Sequence, residues 1–137
     1  MKAIKTLGIA AAVILASSPA FAQSDVQRSD VQIYRAAPGH QVALLKFLAG
    51  QESAAKAAGL PPSQLYIHQS GASWDFVLIS PHTTDAQDKA VDAASARMNI
   101  PTGPKMGLEF RQHIAEHSDT IAAGPYTVDA WLKHIGE

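Results

Sequence analysis

The stretch QLYIHQSGASWDFVLIS, residues 64–80, constrains the chain more than any other. Two runs rich in β-branched and aromatic residues flank a short Gly-containing turn, which is the pattern of a β-hairpin. A turn at Gly71-Ala72 pairs Ser70 with Ser73. It then sets His68 opposite Asp75, Tyr66 opposite Val77 and Gln64 opposite Ile79. Strand side chains alternate between faces, so these six share one side of the sheet. Leu65, Ile67, Gln69, Trp74, Phe76 and Leu78 take the other side. This second set is the more apolar and is expected under helices. A one-residue change in the turn would place His68 and Asp75 on different faces.

The flanking segments fill in the order of elements. VQIYRA (31–36) reads as a strand ended by Pro38-Gly39. HQVALLKFLAGQESAAKAA reads as a helix, with Leu44, Leu45, Leu48 and Ala55 at helical spacing. Gly59 and Pro61-Pro62 stop it. After the hairpin, Thr84 and Gln87 form a capping box, and Asp85 and Asp88 suit the positive start of a helix that runs to about Met98. NIPTGP breaks that helix. A further one is expected from near Pro104 through His117, followed by a short strand in DTIAAGP. TVDAWLKHI closes the chain as an amphipathic turn or two, with Val128, Trp131, Leu132 and Ile135 on one face. Trp131 is expected to clamp this segment to the body of the domain or to a dimer mate.

The order β, α, β, β, interrupted α, β and terminal helix fits an α+β fold, the split βαβ or ferredoxin-like motif βαββαβ with an extra C-terminal helix. A single antiparallel sheet with helices on one face leaves the other face bare. A second copy of the chain would cover it.

The N-terminus reads as an export signal. Lys2 and Lys5 precede the apolar run LGIAAAVILA, and Ala20-Phe21-Ala22 forms a cleavage site before Gln23. The run is shorter than the roughly 20 residues that span a bilayer. The expected organisation is a leader over 1–22, a polar lead-in over 23–30 and one domain over 31–137, periplasmic or secreted, with no membrane attachment after cleavage. The chain has no cysteine, which excludes a lipoprotein anchor, disulfides and thiol chemistry. Without Lys2 and Lys5, nine basic side chains face twelve acidic ones, a net charge of −3. Nothing clusters into a basic face, so nucleic acid is set aside as a partner.

Two segments carry a family resemblance. VQIYRAAPGHQVALLKFL resembles the opening of dimeric α+β barrel proteins, where the first strand runs through a Pro-Gly turn into a Leu-rich helix. The antibiotic-biosynthesis monooxygenase-like and NIPSNAP-like branches share that opening. FRQHIAEHSDTIA is similar to the second-helix segment of the monooxygenase-like branch, where a histidine pair around HxxxPH precedes an apolar residue. The resemblance implies a homodimeric barrel with a small-molecule pocket in its interior, and cofactor-independent oxygenation or isomerisation if it is an enzyme. The NIPTGP break and the helix beyond the last strand depart from that pattern.

Two constellations compete for a site. His113 and His117 in HIAEH satisfy the letters H-x-x-E-H of inverted zinc peptidases, and on a helix they would share one face. A catalytic zinc needs a third protein ligand and an open position. The twenty residues after His117 offer Asp119, Asp129, His134 and Glu137, none in a zinc-ligand context. Packing of the helix through Met106, Phe110, Ile114 and Ile121 is the simpler reading, with His113 and His117 as weak metal candidates. In the hairpin, His68 opposite Asp75 would have its orientation fixed and its basicity raised, as general acid–base work requires. These two are the catalytic candidates, and Tyr34, Tyr66 and Val77 are the ligand-binding candidates of the barrel interior. Tyr34 joins the set if its face is the same. The alternatives are a partly solvated cross-strand pair, a non-catalytic periplasmic ligand-binding or stress-related module, and metal or haem binding through histidines.

Overall fold

The structure, a computed structural model, describes residues 26–137 apart from residue 72. The expected leader lies outside the described residues. The elements are β1 (Arg28–Ala36), α1 (Gln41–Ala57), β2 (Gln64–Ile67), β3 (Phe76–Pro81), α2 (Asp85–Arg97), α3 (Gly103–His113), β4 (Ile114–Ala123) and α4 (Val128–Ile135). β1 starts at Arg28, inside the segment read as a lead-in, because Ser29 and Asp30 pair with Pro81 and Ser80 of β3.

The hairpin has the register read from the sequence. Gln64 faces Ile79 and Tyr66 faces Val77, and the His68 N–H donates to the Asp75 carbonyl at 2.9 Å. All pairings are antiparallel and the strand order is β2-β3-β1-β4. With the βαββαβ element order this is a ferredoxin-like α+β fold.

Helix ends follow local chemistry. The Thr84 hydroxyl accepts from the Gln87 N–H, and the Gln87 side chain accepts from the Thr84 N–H, which closes the expected capping box. α1 ends where Gly59, at φ +84°, lets the Gly59 and Leu60 N–H groups reach back to the Lys56 and Ala55 carbonyls. Asn99 at φ 55° does the same for α2.

One expected helix is shorter than its sequence pattern. α3 stops at His113, and Ile114 is already extended at φ −115°, ψ 141°. Residues 114–123 form a ten-residue strand paired along β1, with Glu116 opposite Arg35 and His117 opposite Tyr34. Long-range pairing to β1 overrides the helical spacing of the HIAEH segment. His113 and His117 therefore share no helical face, which removes the geometric basis of the zinc-signature reading. Among the described residues, no group of three or more His, Asp or Glu side chains converges as a metal site.

The core lies between the sheet and the helices. Tyr34, Ala36, Leu44 and Phe76 are buried there, with Leu45, Leu48, Leu78, Phe110 and Ile114 packed around them. α4 forms as expected but does not clamp to this core. Its Val128, Trp131, Leu132 and Ile135 stay exposed, and Trp131 stacks on His134 and meets Tyr126 at a tilt within its own segment.

Candidate functional site

A cleft of about 500 Å³ opens between the helices and the covered face of the sheet. That volume is in the range of small-molecule pockets. Its floor is built by strand alternation, which brings Asp30, Gln32 and Tyr34 of β1, Leu78 and Ser80 of β3, and Leu65 of β2 to one side. α1 contributes Leu45, Phe47, Leu48 and Glu52, and α3 contributes Met106, Gly107 and Phe110.

One end of the cleft is aromatic. Tyr34, only 3% exposed, stacks on His117 of β4 with ring centroids 5.2 Å apart and 18° between planes. Phe110 meets both edge-on, at 5.8 Å from Tyr34 and 5.1 Å from His117, and Phe47 stacks on Phe110 at 5.6 Å. The Tyr34 hydroxyl donates to Gln32 Oε1 at 2.9 Å. Burial, and secondarily the negative charge of Asp119, push the Tyr34 phenol well above its ordinary range. At neutral pH Tyr34 is thus a hydrogen-bond donor and neither a base nor a nucleophile. His117 is the titratable imidazole lining this cleft, with its Nε2 3.9 Å from Asp119 Oδ2.

The sequence candidates are placed differently from one another. His68 and Asp75 face each other only through the backbone. The Asp75 carboxylate accepts the Ala36 N–H at 2.7 Å, which caps the end of β1. His68 instead leans on Trp74 at 5.0 Å, and its buried Nε2 has no hydrogen-bond partner. The expected imidazole–carboxylate pair is therefore not formed, because the carboxylate satisfies a strand-end amide instead. Tyr66 and Val77 lie on the uncovered face, whereas Tyr34, paired with Phe76, lies on the covered one. The condition that would have joined Tyr34 to Tyr66 and Val77 is not met.

His113 makes a different contact. Its Nδ1 lies 3.3 Å from Nδ1 of His40, one imidazole donating to the other. The ring centroids are 5.6 Å apart, so the nitrogens point almost head-on, as in a hydrogen bond, and do not converge on a shared third point.

Sequence reasoning did not assign Gln32, Phe47, Phe110 or His117 to a cleft. The usable signal was the phase of β1: once Tyr34 is core, Asp30 and Gln32 must share its face.

Comparison with known proteins reaches the fold alone. No family model and no curated protein matches the chain. Among solved structures, a dimeric protein of unknown function with a ferredoxin-like fold from Bacteroides fragilis is 12% identical, covers 73% of this chain and 98% of its own, and superposes with a TM-score of 0.43. A NIPSNAP domain protein from Burkholderia xenovorans is also 12% identical, with coverage of 74% and 96% and a TM-score of 0.43. A Chloroflexus aurantiacus protein named for antibiotic biosynthesis monooxygenases is 20% identical, with coverage of 74% and 98% and a TM-score of 0.39.

Proposed function

We propose that this protein is an exported homodimer that holds a small apolar, ring-bearing molecule in the cleft between its sheet and its helices. The observation that carries the reading is the cleft itself, about 500 Å³ with Tyr34, Phe47, Phe110 and His117 along one end. Five leucines, Phe47, Phe110, Met106 and Val91 supply apolar wall, with polar side chains such as Gln32 and Glu52 set among them, the mixture that small-molecule sites show.

Dimerisation is supported by the bare side of the sheet. Ile33 and Tyr66 there are 40% and 51% exposed, in register with Val77 between them. A second copy offers the same apolar surface, as an isologous interface requires. Export is supported by the leader composition, and the mature chain from periplasmic fractions is expected to begin at Gln23 by intact mass.

The geometry favours binding over chemistry, because the Tyr34 proton is committed to Gln32 and the Asp75 carboxylate to Ala36. An oxygenase or isomerase acting on a ring held at the aromatic end would move its proton through His117, the imidazole stacked there on Tyr34. A His117→Gln variant that retains ligand but loses turnover would establish that version.

The decisive test blocks the cleft without weakening the fold. Gly107 lines the cleft within α3, and a Cβ added there meets nothing within 4 Å. Gly107→Leu should stabilise the helix by up to about 1 kcal/mol while abolishing binding of N-phenyl-1-naphthylamine, a neutral apolar fluorophore. Unchanged fluorophore binding in a stable Gly107→Leu protein would remove this cleft as the site.

A further inference from the structure

The cleft is asymmetric in charge as well as in shape. α1 runs back against β1, so the two ends of the cleft are set by opposite ends of that strand. Tyr34 marks the aromatic end. Asp30 lies four residues away along β1, about 13 Å at strand rise. Asp30 pairs there with Ser80 at the end of β3, and Glu52 of α1 with Ser63, and Asp88 of α2 with Thr83, also line the cleft.

Among the described residues, the cleft lining contains no Lys or Arg. Asp30 is held by His82, whose Nδ1 lies 2.8 Å from Oδ1. Among the described residues, Glu52 accepts the Ser63 N–H at 3.3 Å and Asp88 accepts the Thr83 hydroxyl. These hydrogen-bond partners of Glu52 and Asp88 are neutral groups. At the inner end, Asp119 adds a negative field that helps keep the Tyr34 phenol protonated. A bound carboxylate or phosphate would meet the Glu52 and Asp88 carboxylates at the rim, where the described lining offers no Lys or Arg.

Resting on the reading of this cleft as a binding site, we propose that its ligand is an amine: an apolar body with a ring among Tyr34, Phe47 and Phe110, and a protonated nitrogen at the Glu52–Asp88 rim. The site is the cleft, carried by its volume and aromatic wall, and the carboxylates decide the sign of charge it accepts. The π faces of the inner end add attraction for a cation that enters more deeply.

The test uses three probes with the same phenylbutyl body: phenylbutylamine, phenylbutanol and phenylpentanoate. Calorimetry on the mature protein at low salt should show the amine binding about tenfold tighter than the alcohol, as several partly exposed ion pairs acting together would give, with the carboxylate weakest. That advantage should shrink toward unity in 0.5 M salt, which screens the rim, and in Glu52→Gln/Asp88→Asn. The salt series on the unmodified protein keeps the test valid if the double variant folds poorly. Equal binding of amine and alcohol, or preference for the carboxylate, would overturn the amine proposal while leaving the cleft as a binding site. Failure of all three probes to bind would overturn both.

Discussion

The two faces of the sheet are made by the same strands and both carry large apolar side chains, yet they have opposite fates. Phe76 and Tyr34 on one face are 5% and 3% exposed, packed beneath α1 and α3. Their neighbours in sequence, Val77 and Ile33, point to the other side, where Ile33 is 40% exposed and Tyr66 51%. Strand alternation separates the two sets but does not say what covers each. Helices cover one face because the βαβ connections return across it. The other keeps an apolar surface that a solitary domain would be expected to make polar.

The strongest challenge to this contrast is to empty the covered face. Phe76→Ala should cost about 3–5 kcal/mol in denaturant unfolding, since a buried aromatic leaves a cavity the sheet cannot close. A cost below about 1 kcal/mol would mean that this face is no core. On the open face the effect should appear in assembly. Ile33→Asp places a charge at the centre of the proposed dimer surface and should weaken association by about 3 kcal/mol, more than a hundredfold in dissociation constant, with the monomer still folded. Sedimentation would reveal this as a concentration-dependent monomer, and an unmodified protein that is already monomeric would remove the dimer.

The smallest expected effect lies between the core and the cleft. Tyr34→Phe removes one hydrogen bond to Gln32 and should cost about 1 kcal/mol near neutrality. Its pH signature is more telling. The folded chain holds the Tyr34 proton more tightly than the unfolded chain, so above about pH 10 the folded state binds more protons. Stability contributed by the neutral phenol is present below that pH and is lost as the pH rises past it. The native protein should therefore destabilise in alkali more steeply than Tyr34→Phe, as measured by unfolding midpoints between pH 9 and 11.

Much of the fold was legible in the residues. The hairpin register follows from a short Gly turn between two strand-like runs, and a single shift would have turned Leu78 and Phe76 to solvent. The capping box at Thr84 and the stop at Gly59 are local, and both are present. The segment around His117 was not legible. Met106, Phe110 and Ile114 continue at helical spacing, but the pairing of residues 114–123 with β1 is a contact between positions about eighty apart in sequence. Nothing local announces such a partner. The site suffered for the same reason, since assigning His117 to a helix hid its stacking on Tyr34.

Read alone, the sequence determined the element order, the hairpin register and the ends of α1 and α2, because each depends on neighbours a few residues apart. It also determined that the chain carries no thiol chemistry. Only tertiary structure decided where α3 gives way to β4, that Asp75 caps a strand in place of activating His68, and that Tyr34 opens into a cleft on the helix-covered side. Those outcomes depend on which distant backbone groups find partners, and that competition is settled only when the whole sheet assembles.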